Sequence, residues 1–437
     1  MALNIDTFAP MRKETIATIV IPFYNEENTL NNALEALYNQ QDKNGNSVRQ
    51  FFEIILVDNR STDASIEIIS HFSKQHAELN IFVVSESRAG VAWARKTGMD
   101  FACQRSHERD QQYELSKPFY IFGGDADCIV DSHWFDELRQ TMESSNAAIG
   151  VCQYIYPHDY FSRLPKLFTV VQRLLHFKHF ILEYFGGFPD GKGFAVRRDK
   201  YEKIGGIEIF YQLQNGQFVC HLSDDWDFGI KMRASDEEII YCPNSKVFTN
   251  PRRLTLALDE MLIGKAYGKN GTIVMRDIRP DKKTKKLPHD LSEAQAKTLW
   301  DFAIKDSVPK NLILPLFLTP SFLNQPKVRE FLTPTLADEL FIRIHEIKNE
   351  MQMISFTPIH SYKTPCARLY FEFADPLFER LREKVSSDIG YPPEFPPPLL
   401  SFKNSGNLDE LKKFIYFYCE DRESGEMHNY FANGGMF

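Results

Sequence analysis

Residues 118–127 read Pro-Phe-Tyr-Ile-Phe-Gly-Gly-Asp-Ala-Asp. Pro118 to Phe122 has the unbroken apolar character of a strand buried on both faces. The strand leaves through Gly123 and Gly124 into two carboxylates one residue apart, Asp125 and Asp127. Carboxylates delivered at a strand end reach a divalent cation and a phosphate ester together. Hard oxygen ligands of this kind suit Mg²⁺ or Mn²⁺, which keep part of their water shell and take the rest from phosphates. An Asp-x-Asp is also an ordinary solvated turn, so its weight depends on its neighbours.

Those neighbours repeat one pattern. Ile16 to Phe23 (IATIVIPF) is a β-branched run, followed by Tyr24-Asn25-Glu26 and a helical period that places Leu30, Ala33, Leu34 and Leu37 on one face. Phe52 to Val57 is a second strand, closed by Asp58-Asn59-Arg60-Ser61-Thr62-Asp63, and Ala64 to Phe72 a second helix with Asp63 as its cap. Leu79 to Val84 and Gly90 to Ala102 supply a third strand and helix. Alternating strands and helices predict βαβ units and a mostly parallel sheet. In such sheets the ligand lies outside the carboxyl ends of the strands, where the polar clusters Tyr24–Glu26, Asp58–Asp63, Ser87–Arg88 and Asp125–Asp127 all fall.

At 437 residues the chain predicts two domains. With 43% hydrophobic and 25% charged residues it reads as an ordinary globular protein, and a net charge of −8 argues against nucleic acid as a partner. The seven cysteines show no Cys-x-x-Cys spacing, which predicts neither a zinc site nor a disulfide framework and fits the reducing cytoplasm. Met1 to Glu14 lacks the apolar core of a signal peptide. The longest apolar stretch, Leu312 to Leu323, is broken by Pro315 and Pro320, so no transmembrane segment is expected.

Past Ile149 the pattern changes. Ala148 to Tyr154 predicts a strand, Leu164 to Tyr184 an apolar helix, and Gly191 to Arg198 a short glycine-led strand. Ser223-Asp224-Asp225-Trp226-Asp227 opens a helix with acidic residues where the dipole favours them. Asp227 is placed to pair with Lys231 one turn on, and Trp226 to pack in the core. Ile239 to Tyr241 and Lys246 to Phe248 predict short strands. From Arg252 onward the reading is helical: 254–267, 291–305 opened by a capping box from Asp290 to Glu293, 327–353 and 368–385. A basic segment, 276–286, and a proline cluster, 391–398, read as solvated loop and stiff connection.

Taken in order, Ile21-Pro22-Phe23-Tyr24-Asn25-Glu26, Val57-Asp58-Asn59-Arg60-Ser61-Thr62-Asp63, Arg88-Ala89-Gly90 with Ala94-Arg95, and Asp125-Ala126-Asp127 resemble the family-2 glycosyltransferases. Gly193-Phe194-Ala195-Val196-Arg197 before Gly205-Gly206, and Asp224-Asp225 before Phe228-Gly229, continue that resemblance, which covers residues 16–253. It implies an α/β fold of the GT-A type, a Rossmann-like sheet flanked by helices, followed by a mainly α-helical C-terminal region. The implied domains are a nucleotide-sugar-binding catalytic domain, 1–253, and a helical region, 254–437.

By position, the resemblance puts Pro22, Tyr24 and Glu26 beside the nucleotide, Asp58 on the base, Arg95 near the diphosphate and Asp125 near the ribose and metal. Asp127 holds Mn²⁺ or Mg²⁺, and Asp225 is the catalytic base with Asp224 in the place usually taken by Glu. Asn250 stands where many members have a metal-binding His, with Arg252 and Arg253 after it, and Asn59 replaces a frequent Asp. Asp225 is expected to be ionised near neutral pH. The implied reaction moves a sugar from a nucleoside-diphosphate sugar, a UDP-sugar ahead of a GDP-sugar, to an acceptor hydroxyl with inversion. The alternatives are a retaining transferase, a sugar nucleotidyltransferase, or an inactive nucleotide-sugar-binding scaffold whose helices dock a partner. Tyr24-Asn25-Glu26 counts against the nucleotidyltransferase, which carries a glycine-rich basic loop there.

Overall fold

The computed structural model describes residues 8–209, 211–214, 217–220, 224–251, 289–296, 300, 307–352 and 363–388. Arg252, Arg253, the helix expected over 254–267, the basic segment 276–286 and the proline cluster 391–398 lie outside the described residues. The chain forms two compact units. One is Met1–Tyr156 with Phe188–Tyr211 and Cys220–Asn250; the other is Pro157–Gly187 with Gln212–Val219 and Pro251–Phe437.

The first unit is built on β1 (Ala17–Phe23), β2 (Phe52–Asp58), β3 (Ile81–Ser85), β4 (Tyr120–Gly124), β5 (Cys128–Val130), β6 (Ile149–Ile155), β7 (Gly193–Arg197) and β10 (Ile239–Thr249). They form an eight-stranded sheet in the order β3-β2-β1-β4-β7-β6-β10-β5, while β8 (Tyr211–Gln214) and β9 (Gln217–Cys220) pair separately. β1 to β4 are mutually parallel, as is the pair of β6 and β10. β7 runs antiparallel between β4 and β6, and β5 antiparallel to β10. The sheet is therefore mixed, with the expected βαβ units forming a parallel β3-β2-β1-β4 block. The expected break between Tyr241 and Lys246 is an irregularity within one strand, β10.

Every residue of β1 is buried, as its unbroken apolar run requires. Helices α1 (Leu30–Tyr38), α2 (Ser65–Gln75) and α3 (Val91–Tyr113) follow β1, β2 and β3. The buried face of α1 is the expected Leu30, Ala33, Leu34 and Leu37. α3 lies flat on β1 and β2 because Gly98 carries no Cβ; one there would stand 2.4 Å from Val20 Cγ1 and 2.7 Å from Val57 Cγ2. That close packing outweighs the ~1 kcal/mol that Gly costs in a helix interior.

α3 runs well past the expected end at Ala102, and the reason is chemical. Its inward residues include Arg95, Arg105 and Arg109, all buried, so the apolar period fades while the helix continues. Arg105 holds Glu53 through two hydrogen bonds of 2.8 Å beneath β2 and lies 4.4 Å from the Phe82 ring centroid. The sequence reading passes over α4 (Trp134–Ser145), whose Trp134, Phe135, Leu138 and Met142 are buried. α6 (Arg198–Lys203) and α7 (Asp224–Ala234) complete the unit.

The second unit contains α5 (Pro165–Phe185), α8 (Leu314–Leu318), α9 (Pro326–Leu332), α10 (Pro334–Gln352) and α11 (Lys363–Asp388). Two features of this unit differ from the sequence expectation. The capping box is Ser292 with Gln295, each accepting the other's backbone N–H at 3.2 and 2.8 Å. Asp290 instead caps α5, accepting the N–H groups of Lys166 and Leu167 at 2.7 and 3.1 Å. The helix expected over 327–353 is two helices, broken at Thr333 (φ 76°) because the residue before Pro334 is kept out of the α region. At the other end of α5, the Lys327 ammonium donates to the Glu183 carbonyl at 2.7 Å. Among the described residues, no helix is long and apolar enough to cross a membrane.

Candidate active site

The carboxyl ends of β1, β2 and β3 lie side by side, with Phe23 opposite Asp58 and Asp58 opposite Ser85. Pro22 is buried in β1, and the next residues leave the sheet: Tyr24 is 58% exposed and Asn25 takes φ 54°. Asn25 then accepts the Thr62 N–H at 2.8 Å and donates its own to the Ser61 hydroxyl. Asp58 accepts the Ser61 N–H at 2.9 Å, and the Glu26 carboxylate accepts the Thr29 hydroxyl at 2.7 Å. Asp63 is not the N-cap of α2 as expected, since Ala64 holds that place; it accepts from the Ser65 N–H and hydroxyl and also takes the Glu27 N–H. Tyr24, Glu26 and Asp58 thus share one braced rim.

Asp125 and Asp127 follow β4 and are both half-buried. Their ligand oxygens and Cys128 Sγ all lie within 4.8 Å of one another. Burial pushes the Cys128 thiol well up, so it stays neutral, and it donates weakly to Asp127 Oδ1 at 3.7 Å. Two carboxylates backed by a neutral thiol fit a hard cation with open positions for phosphate and water, and do not fit a thiolate-binding metal. The ladder of β10 with β5 ends at Thr249 opposite Cys128, so Asn250 continues toward Asp127.

Arg95 joins this turn to the start of α7. Its Nη2 donates to Asp125 Oδ1 at 3.2 Å and its Nε to Asp224 Oδ2 at 2.8 Å. Both Arg95 and Asp224 have side chains only 3% exposed. Arg95 Nη1 is buried with no hydrogen-bond partner among the described residues. Gly191 lies against the same point: a Cβ there would stand 2.7 Å from Arg95 Nη2 and 2.9 Å from Asp125 Oδ1. The Gly191 N–H donates to Asp225 Oδ2, and the Trp226 N–H to Asp225 Oδ1 at 2.8 Å.

The expectation that Asp225 is ionised near neutral pH is overturned. Burial, then Asp224 and Asp190, push its carboxyl up to about 8, only partly offset by Arg95 and the Trp226 N–H. Burial also raises Asp224 against the lowering effect of Arg95 beside it. Asp227 does not pair with Lys231 as expected. It is buried, while Lys231 turns to Glu208 at 3.3 Å and the Gly206 carbonyl. Trp226 packs on Phe188 in the core, ring centroids 4.7 Å apart.

Asp190 and Lys192 belong to this site, and motif reading missed them. Lys192 Nζ meets both oxygens of Asp190 at 2.8 and 2.7 Å and lies 4.5 Å from the Tyr154 ring centroid. The signal available was the glycine between them, which brings the backbone against Arg95 and Asp125. Arg252 and Arg253 lie outside the described residues.

Residues 18–205 match the family model described as glycosyl transferase family 2. The chain is 36% identical to Glycosyltransferase GlyA of Streptococcus pneumoniae over 137 residues, covering 31% of this chain and 16% of that protein. It is 25% identical to Glycosyltransferase AglE of Haloferax volcanii over 143 residues, 32% of this chain and 40% of that protein. The matched stretches thus span less than half the length of either relative. Among solved structures, the mannosyltransferase PcManGT from Pyrobaculum calidifontis, in complex with GDP-Man and Mn²⁺, is similar at 15% identity and a TM-score of 0.39, covering 85% of this chain and 90% of that one.

Proposed function

We propose that this chain, which carries a family-2 glycosyltransferase domain over residues 18–205, moves a sugar from a nucleoside-diphosphate sugar to an acceptor hydroxyl with inversion. One observation carries the reading. The Arg95 guanidinium reaches Asp125 just after β4 and Asp224 at the start of α7, which supports a reading in which a turn that binds the cation and a helix start that bears the base face one point. Displacement at a sugar carbon needs charge stabilisation on the leaving side and a proton acceptor on the other.

In this reading Tyr24 and Glu26 flank the nucleoside, with Pro22 behind them, and Asp58 accepts a hydrogen bond from the base. Asp125 and Asp127 hold Mn²⁺ or Mg²⁺, with Asn250 beside Asp127 and Arg252 and Arg253 as further phosphate contacts. When bound, that cation supplies positive charge against which the diphosphate departs. Arg95 fixes the carboxylates on either side of it. Asp225 accepts the acceptor hydroxyl proton as the new bond to the sugar carbon forms and the bond to the diphosphate breaks. The donor is a UDP-sugar ahead of a GDP-sugar. All these residues fall within 1–253, proposed as the catalytic part, with 254–437 as its helical accessory.

The test pairs calorimetry of UDP and GDP, with and without Mn²⁺, with turnover of the corresponding sugars. Cation-dependent binding of one nucleotide, with hydrolysis or transfer of its sugar, supports the reading. Failure to bind either nucleotide would sink it.

A further inference from the structure

Asn59 fills a place in the base-binding stretch where a carboxylate is the frequent choice, and its contacts explain why an amide stands there. Its side chain is nearly buried, at 9% exposure. The Nδ2 group donates to two backbone carbonyls of the loop between β3 and α3, Glu86 at 3.0 Å and Arg88 at 2.7 Å. Oδ1 accepts the N–H of Gly90, the residue that opens α3, at 2.8 Å. Two carbonyls and one N–H leave a single workable orientation of the amide. The backbone N–H of Asn59 donates to the Phe23 carbonyl at 2.9 Å, and the Glu86 N–H to the Asp58 carbonyl at 2.8 Å. One residue therefore ties the ends of β1 and β2 to the loop that starts α3.

The loop it holds has a defined side chain. Arg88 donates from its backbone and from its guanidinium Nε and Nη2 to the Glu86 carboxylate, at 2.6–2.8 Å, and its guanidinium lies 3.6 Å from the Trp93 ring centroid. Thr97 completes the Glu86 shell with a 2.6 Å hydrogen bond.

We infer that Asn59 is a positioning residue for nucleotide binding: its amide fastens the β3–α3 loop to the end of β2, so that Tyr24, Asp58 and Arg88 form one rigid edge. The inference rests on the proposed nucleotide site for its consequence and on the hydrogen bonds alone for the clasp. An aspartate of the same shape accepts from Gly90 but cannot donate to the two carbonyls, and its charge faces their oxygens. Protonation restores one donor. The ionisable groups around position 59 are Asp58, Glu86 and Arg88. Glu86 is held down to about 2, chiefly by Arg88 and then by Thr97, so it keeps its charge above pH 5.

The experiment uses the full chain with Asn59→Asp and Asn59→Ala. UDP and GDP affinity with Mn²⁺ is measured at pH 5.5 and 8, beside kcat at saturating donor and amide exchange at Gly90 without nucleotide. Asn59→Asp should bind at least ~10-fold more weakly at pH 8 and regain most of that at pH 5.5. Asn59→Ala should be equally weak at both, while kcat stays within ~3-fold for both variants. Gly90 exchange should quicken at least ~10-fold in Asn59→Ala but not in Asn59→Asp. Wild-type affinity in Asn59→Asp at pH 8, or a loss that ignores pH, overturns the inference. If the wild-type chain binds neither nucleotide, the proposed function fails while Gly90 exchange still decides the clasp. Should neither variant fold, wild-type Gly90 exchange at the rate of an open loop overturns it.

Discussion

One guanidinium meets a carboxylate from each of two pairs, Asp125 in the turn after β4 and Asp224 at the start of α7, and the surroundings of the pairs differ. The Asp125 side chain is 34% exposed, whereas that of Asp224 is 3% exposed. Asp125 and Asp127 can therefore take up a cation with little desolvation. Asp224 and Asp225 sit where a charge must be compensated or a proton kept, which raises both. The same side chain is thus suited to the proposed cation ligand or to the proposed proton acceptor according to its access to water, and Arg95 bonds to one carboxylate in each environment.

The largest expected effect tests the exposed pair. Chelating divalent cations should abolish turnover, and Asp127→Asn should lower donor affinity in Mn²⁺ by at least ~10-fold. Calorimetry and turnover in EDTA check this, and an unchanged rate would remove the cation from the mechanism. Next comes the buried pair. Asp225→Asn should cut kcat by roughly 10²–10⁴ with donor affinity near wild type, the usual worth of a general base. Its pH signature is set by protonation in the free protein: kcat/KM should climb with pH on a limb near 8. A limb near 4 would mean that Asp225 is not the group titrating.

Between the pairs, Arg95→Met leaves Asp224 buried without its partner. Such a break costs about 3–5 kcal/mol. The lower end is expected here because Asp224 can take a proton, and denaturant melts would read it. An unaltered midpoint would mean that the two pairs are independent.

The smallest effect concerns stability. Asp225 holds its proton in the folded chain up to about 8 but ionises near 3.8 when unfolded. Its favourable contribution is therefore complete at acid pH and is lost as pH rises through the folded value. Asp225→Asn escapes that loss, so the variant should melt above wild type near pH 7.5. The difference should vanish near pH 4, and a variant that melts lower throughout would assign Asp225 a structural role.

The parallel half of the sheet was legible because strands buried on both faces and amphipathic α1 each advertise themselves through apolar spacing. α3 beyond Ala102 was not, since paired or stacked arginines on its inner face look solvent-exposed to any hydropathy reading. The rim residues were reachable through motif order. Asp190 and Lys192 were not, because a pair two residues apart in a loop is common and only the fold brings it beside Asp125. The ionisation of Asp225 was misread for a related reason: burial dominates its pKa, and burial is absent from spacing. The capping box was placed two residues early, and the discarded candidate, Asp290, proved to cap a different helix.

That last contact has a consequence for biosynthesis. The first turn of α5 is capped by a residue 124 positions further along the chain from Lys166. At translation rates of about 5–20 residues per second, that cap is made ~6–25 s after the turn it serves. During that interval α5, whose buried face includes Leu167, Val171, Leu174, Phe177, Ile181 and Phe185, has neither its cap nor the helices made after it. The emerging chain should therefore engage ribosome-associated holding factors most strongly from the completion of α5 until Asp290 clears the exit tunnel.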